Sequence, residues 1–220
     1  MLFRSNTLGN LGHVHRYLGS YPKSIELYEQ WLAIAREIKD RLGEGISLGN
    51  LGGSYYSLGN YPKAIEFYEQ RLAIAREIKD RRGEGNALGG LGNAYDSLGN
   101  YPKSIEFYEQ SLAIARELKD RRGEVTTLGN LGISYYSLGN YPKAIEFYEQ
   151  SLAIAREIKN RRGEGSALGG LGVAYDSLGN YPKAIGFHEQ SLAIARELKD
   201  RRGEGKIGRA SCRERVLNLV

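Results

Sequence analysis

The sequence predicts an all-α fold, an α-solenoid of five helix-turn-helix repeats, and three observations carry that expectation. The chain repeats itself every 40 residues: Tyr61, Tyr101, Tyr141 and Tyr181 are evenly spaced, as are Gly52, Gly92, Gly132 and Gly172. Each period holds a pair of apolar stripes at steps of three and four. Between the stripes stands "GNYP", a helix stop followed by a helix start. Self-similarity at this period overrides a domain count taken from length, because units of this size bury their apolar faces only by stacking. The expected array fills 1–204, with repeats at 5–44, 45–84, 85–124, 125–164 and 165–204, and a non-repeat tail at 205–220.

The elements follow in order from the third repeat. Asp80 is a suitable N-cap with Glu84 in the first turn, and Leu88, Leu91, Ala94, Tyr95 and Leu98 form the apolar stripe of a first helix. Gly99 suits the left-handed position after a helix end, Asn100 caps the next helix, and Pro102 is tolerated only in a first turn. Tyr101, Ile105, Tyr108, Leu112, Ala115 and Leu118 then share one face of a second helix, with Lys103, Glu106, Glu109, Arg116 and Lys119 mostly opposite. The first helix carries Gly85, Gly89, Gly90 and Gly92, each costing about 1 kcal/mol relative to Ala in a helix interior. Such a helix persists only against neighbours, and the missing side chains are expected to let a neighbouring backbone come close. Stability therefore belongs to the stack rather than to the unit.

Leu88, Leu91, Gly92, Tyr95, Ser104 (Ala64, Ala144 and Ala184 elsewhere) and Tyr108 stand in a pattern that resembles the tetratricopeptide repeat (TPR). Leu replaces that family's usual Trp, Ser111 or a larger residue stands at a small position, and Arg116 occupies the usual helix-ending Pro, so the second helix runs on to give 40 residues. The spelling "LGNLG" with "RRGEG" resembles the long Leu-Gly-Asn subclass, and also repeat arrays of large bacterial signalling proteins. The resemblance implies a right-handed superhelix whose first helices line a concave groove. It further implies a non-enzymatic protein–protein interaction scaffold that binds an extended peptide or protein segment there.

Solvent-facing positions of the first helices are the candidate contacts: Arg82, Asn86, Asn93 and Asp96 in the third repeat, Arg122 and Tyr136 in the fourth, Tyr56 in the second, and Arg162 and Asp176 in the fifth. Beside them, Asn10, Asn50 and Asn130 alternate with Gly90 and Gly170. A carboxamide offers donors and an acceptor for a peptide backbone, or alternatively for contacts between repeats. The three arginines favour an acidic or carboxylate-terminated segment. "YYSLGN" and "AYDSLGN" alternate, so the full period is 80 and Tyr alternates with Asp along the groove, through ligand matching or through recent duplication of a repeat pair.

The formal charge of +5 dissolves on inspection, since the tail contributes Lys206, Arg209, Arg213 and Arg215 against Glu214 and leaves 27 basic and 25 acidic residues intermingled on the repeats. Arg81 and Arg82 have Glu77, Asp80 and Glu84 within a turn, so nucleic-acid binding ranks last among the readings. The glycines do not complete a GxGxxG motif, because Leu88 stands where the third Gly is needed. His13, His15 and His188 have no companion ligands at metal spacing, and no nucleophile, base and acid recur together, so no metal, cofactor or catalytic residue is expected. The sixteen tyrosines fall mostly on the apolar stripes and read as core.

The run "KIGRASCRERV" from Lys206 to Val216 resembles one reading frame of a sequencing adapter, the alternative being a basic tail or capping helix, and it is set aside from functional reasoning. It contains Cys212, the one cysteine, so neither disulfides nor a Cys-based metal site is expected to hold the fold. No apolar run matches a membrane span or a secretion signal, which makes the cytoplasm the expected address. An alternative to the free-standing scaffold is a sensor or spacer arm of a larger signalling protein with an ATPase or protease domain.

Overall fold

The computed structural model describes residues 2–198. The end of the fifth repeat, Cys212 and the tail lie outside the described residues. Ten helices form among the described residues: α1 (Leu2–Tyr17), α2 (Tyr21–Glu37), α3 (Arg41–Ser57), α4 (Tyr61–Glu77), α5 (Arg81–Ser97), α6 (Tyr101–Glu117), α7 (Arg121–Ser137), α8 (Tyr141–Glu157), α9 (Arg161–Ser177) and α10 (Tyr181–Glu197). They alternate as first and second helices of hairpins, with no strand among the described residues.

The helices stop and start where the side chains dictate. Gly59, Gly99, Gly139 and Gly179 adopt φ of 82°, 76°, 75° and 73°, and the amides that follow close the helix end: Asn60 N donates to Tyr55 O at 2.9 Å. The same Asn60 then caps α4, its Oδ1 accepting from Lys63 N at 3.2 Å. Asp80 has the corresponding double role, donating its N–H to Ala75 O at 2.8 Å and accepting from Gly83 N at 2.9 Å. At these junctions one residue thus closes a helix and opens the next, which keeps the connections short, whereas Ser20 before α2 makes no side-chain cap. Where the second helices end, Lys39, Lys79, Lys119 and Lys159 take the left-handed position at φ of 56°, 58°, 53° and 54°, although no glycine stands there.

The chain divides into two compact units, Met1–Ile114 and Ala115–Val220, with the boundary inside α6. In the first unit Tyr28, Leu48, Leu51, Leu72, Ala87, Leu88 and Leu91 are buried between successive hairpins. In the second, Leu128, Leu131, Tyr148, Leu152, Leu168 and Leu171 repeat that arrangement. In the second to fifth hairpins a first-helix tyrosine stacks on a second-helix phenylalanine, for example Tyr55 on Phe67 at 5.3 Å and Tyr135 on Phe147 at 5.2 Å between centroids.

The helix glycines have a role other than the one expected from sequence. A Cβ added at Gly52 would meet the Tyr68 ring at 2.8 Å, and one at Gly90 would meet the same ring at 2.6 Å. Tyr148 lies likewise between Gly132 and Gly170. Gly52, Gly90, Gly132 and Gly170 therefore make sockets for a wedged aromatic ring from a second helix, where close approach of backbones had been expected, and Gly85 lies instead against the Ile114 side chain. His188 replaces this tyrosine in α10, is buried, and lies against Gly172.

Buried glutamates tie the hairpins together. Glu84 accepts from Arg76 Nε at 2.9 Å and from Arg81, and Arg36 and Arg41 hold Glu44 in the same way. Arg156 and Arg161 do so for Glu164. Burial pushes the carboxyls of Glu44, Glu84 and Glu164 up, but the guanidinium hydrogen bonds outweigh it and hold all three below the usual carboxylate range.

Candidate functional site

In the second unit the faces of α7 and α9 bound an open cavity of about 580 Å³. Its walls come from Val125, Gly129, Asn130, Ile133 and Tyr136 on α7, Tyr148 and Ser151 on α8, and Arg162, Ser166, Gly169 and Val173 on α9. Two features of the sequence leave the space open. Gly129 has no atom within 4 Å of where a Cβ would stand, and Ser151 turns its hydroxyl to Val125 O at 3.0 Å and so projects little. The lining mixes an apolar floor, in which Ile133 and Val173 are exposed, with the Asn130 carboxamide and the Arg162 guanidinium. A pocket of this kind suits an apolar side chain carried on a backbone that needs hydrogen-bond partners.

Three of the residues singled out from sequence, Asn130, Tyr136 and Arg162, therefore line one cavity. Arg122 and Asp176 are exposed on the same helices but do not line it. In the first unit Arg82 and Asn86 are exposed on α5, Asn10 is exposed on α1, and Asn50 is half-buried on α3. Asn93 and Asp96 are half-buried, and Asn93 Oδ1 already accepts from Tyr108 Oη at 2.6 Å, so part of its hydrogen-bonding capacity serves the hairpin. Tyr56 and Tyr136 are half-buried braces between successive first helices, with Tyr56 Oη 3.1 Å from Ser97 Oγ and Tyr136 Oη 3.0 Å from Ser177 Oγ.

Arg71 was not among the residues expected from sequence. It stands on α4 at the position of Ser151, and its Nη1 occupies the place a Cβ on Gly49 would need. From the other side Arg16 Nη1 lies 2.9 Å from where a Cβ on Gly53 would stand. Two guanidiniums thus cover the glycine face of α3, where the second unit has its cavity. Burial pushes Arg71 down from the usual arginine range, with Asp80 and Tyr68 acting the other way, and the side chain makes no hydrogen bond or ion pair among the described residues. The available signal was the break in the repeat, since this position reads Trp31, Arg71, Ser111, Ser151 and Ser191.

Most other arginines are occupied. Arg41, Arg121 and Arg161 each bridge two glutamates, whereas Arg82, Arg122 and Arg162 make no ion pair among the described residues. No group of His, Cys, Asp and Glu among the described residues could hold a metal ion. None of their helices is long and apolar enough to cross a membrane.

A tetratricopeptide repeat model matches residues 3–77, 72–117, 83–157 and 123–197. The chain belongs to the tetratricopeptide repeat family. No curated protein sequence matches it. Among solved structures, BtubC (BKLC) from P. vanneervenii superposes with a TM-score of 0.80 at 21% identity over 89% of this chain and 81% of that one. A Rap protein complexed with competence and sporulation factor gives 0.81 at 19%, over 94% and 58%. A signal transduction ATPase with numerous domains and a tetratricopeptide repeat sensor, from Pyrococcus horikoshii, gives 0.78 at 24% over 99% and 38%. At these identities the likeness is one of fold, and it agrees with TPR hairpins of 40 residues.

Proposed function

We propose that this TPR chain is a non-enzymatic interaction scaffold that binds an extended peptide or protein segment along the solvent face of its first helices. One observation carries the reading: the α7–α9 cavity brings an apolar floor together with the unpaired Arg162 and the Asn130 carboxamide. In this reading Asn130 and Asn50 bond the ligand backbone, and Ile133 and Val173 receive one apolar side chain. Arg122 and Arg162, on α7 and α9, favour acidic or carboxylate-terminated segments, and Arg82 gives α5 of the first unit the same preference. The complex of a Rap protein with competence and sporulation factor supports ligand binding on a fold of this kind.

A second reading rests on the ATPase with a TPR sensor, of which this chain spans 38%. The same face would then serve as the sensor arm of a larger signalling protein.

Peptides selected from a library against the full chain test the binding face. Replacing Asn50 and Asn130 together with Ala should weaken binding about fivefold or more, equivalent to about 1 kcal/mol, with unchanged helicity. Arg162→Ala should weaken acidic peptides more than neutral ones. Titration calorimetry giving wild-type affinity for both variants would remove the first-helix face as the site.

A further inference from the structure

The repeat changes to arginine at two positions that lie over one face of α3. One position reads Arg16, Tyr56, Asp96, Tyr136 and Asp176 along the chain, and the other reads Trp31, Arg71, Ser111, Ser151 and Ser191. Arg71 lies over Gly49, while Arg16 Nη1 is 2.9 Å and Tyr68 Oη 3.7 Å from where a Cβ on Gly53 would stand. Residues four apart on a helix hold their Cβ positions about 5–6 Å from each other, so the two guanidiniums are about one helical turn apart with a phenol beside them. Both arginines are half-buried and keep an open edge. Arg71 has neither a hydrogen bond nor an ion pair among the described residues. Asp80 acts on it without pairing, and the Oδ1 of that carboxylate already accepts from Gly83 N at 2.9 Å. Burial pushes the Tyr68 phenol up to about 12, against the lowering effect of Arg16 and Arg71, so it faces this space as a hydrogen-bond donor at neutral pH.

We propose that this face of α3 binds a phosphorylated side chain of a peptide segment, held by Arg16, Arg71 and Tyr68, an inference that rests on the first helices forming the binding face. The charge balance selects the group. A phosphate monoester carries a charge of about −1.5 to −2 and three acceptor oxygens, which match two guanidiniums and a phenol donor. A carboxylate has one charge and two oxygens, and would leave one of the guanidiniums without a counter-charge. Guanidiniums also suit phosphate by geometry, since each presents paired N–H groups to two oxygens. The glycines contribute by what they lack, because no side chain of α3 at positions 49 and 53 stands beneath the two cations. The corresponding positions of the second unit hold Tyr136 and Ser151, and the face there is an apolar cavity instead.

The probe is a peptide library with a central phosphoserine or phosphotyrosine between degenerate flanks. Sequences retained by the full chain are resynthesised with the phosphorylated residue, its unmodified form or glutamate at the centre, and titrated by calorimetry. The phosphorylated form should bind about tenfold or more tightly than either of the others, as charge-assisted hydrogen bonds imply. Arg71→Ser and Arg16→Tyr each install a residue that the repeat carries elsewhere, so both should keep wild-type helicity by circular dichroism and lose that preference. Lys23→Ala, which removes an exposed charge from α2, should retain it. A library from which nothing is retained overturns the proposal, as do equal affinities for phosphorylated and unmodified peptides, or a preference that survives in both arginine variants. A glutamate form that binds as tightly as the phosphorylated one makes this a plain acidic subsite and overturns the phosphate assignment. A single-stranded oligonucleotide that binds more tightly than the phosphopeptides, and weakens in the same two variants, overturns it in favour of nucleic acid. Unmodified peptides that depend on Asn50 and Asn130 while phosphate adds nothing would overturn this site alone and leave the first-helix face standing.

Discussion

The side chain of Glu84 is the point where hairpin contacts and titration meet. It is buried, with guanidiniums on both sides, and its pKa is held down, as are those of Glu44 and Glu164. A depressed folded pKa contributes stability that is fully present above the ordinary carboxylate value of about 4.3 and is lost as pH falls through the lower folded value. The urea midpoint of the chain should therefore fall below about pH 4. Glu84→Gln should cost about 1–2 kcal/mol at pH 7 and make the acid dependence shallower, because charged hydrogen bonds contribute on that scale. Equal pH profiles for wild type and variant would contradict this role. Lys79 poses the opposite case, a left-handed residue with a Cβ, at φ 58°. That conformation costs about 1–2 kcal/mol for a side-chain-bearing residue, and glycine returns about half of it through unfolded-state entropy. Lys79→Gly should raise stability by about 0.5 kcal/mol in urea denaturation, whereas Lys79→Ala should bring no gain.

At the scale of the helix, the first helices are poor helix formers made stable by what packs on them. Gly90 and Gly129 occupy equivalent helices and should respond to the same substitution with opposite signs. In α5, a methyl at Gly90 would meet the Tyr68 ring at 2.6 Å, and that ring is also pressed against Gly52, so it has no simple retreat. Overpacking of this kind costs about 1–3 kcal/mol, more than the roughly 1 kcal/mol that alanine adds in helix propensity. In α7, a methyl at Gly129 meets nothing within 4 Å. Thermal denaturation should show Gly90→Ala lower and Gly129→Ala higher than wild type, and the same sign at both sites would refute the socket explanation. These sockets were not legible from sequence, where a glycine run gives the weakness of the helix but not the identity of the group that fills the gap. The caps were legible. Asn60, Asp80 and Gly99 act through local backbone geometry, which adjacent residues determine. Lys79 at a left-handed position was not legible, because no residue-type preference marks it.

For the whole molecule, the 40-residue period was enough to anticipate hairpins, their stacking and the family. The candidate site was legible only in part. Repetition identifies which positions face solvent, so Asn130, Tyr136 and Arg162 could be placed on one face. It says nothing of what crosses that face from a second helix, and Arg71 and Ser151, which decide whether the face is filled or open, stand on α4 and α8. In the proposed reading, binding specificity resides where the repeats differ. The account's central claim, that ligands lie on the first-helix face at the α7–α9 cavity, is tested most directly by site-specific photo-crosslinking of a peptide selected against the full chain. A photoreactive phenylalanine analogue replaces Val173 in the cavity wall in one sample and the exposed Glu149 of α8 in another. The account predicts a covalent peptide adduct at position 173 and none at position 149, and an adduct at 149 with none at 173 would contradict it.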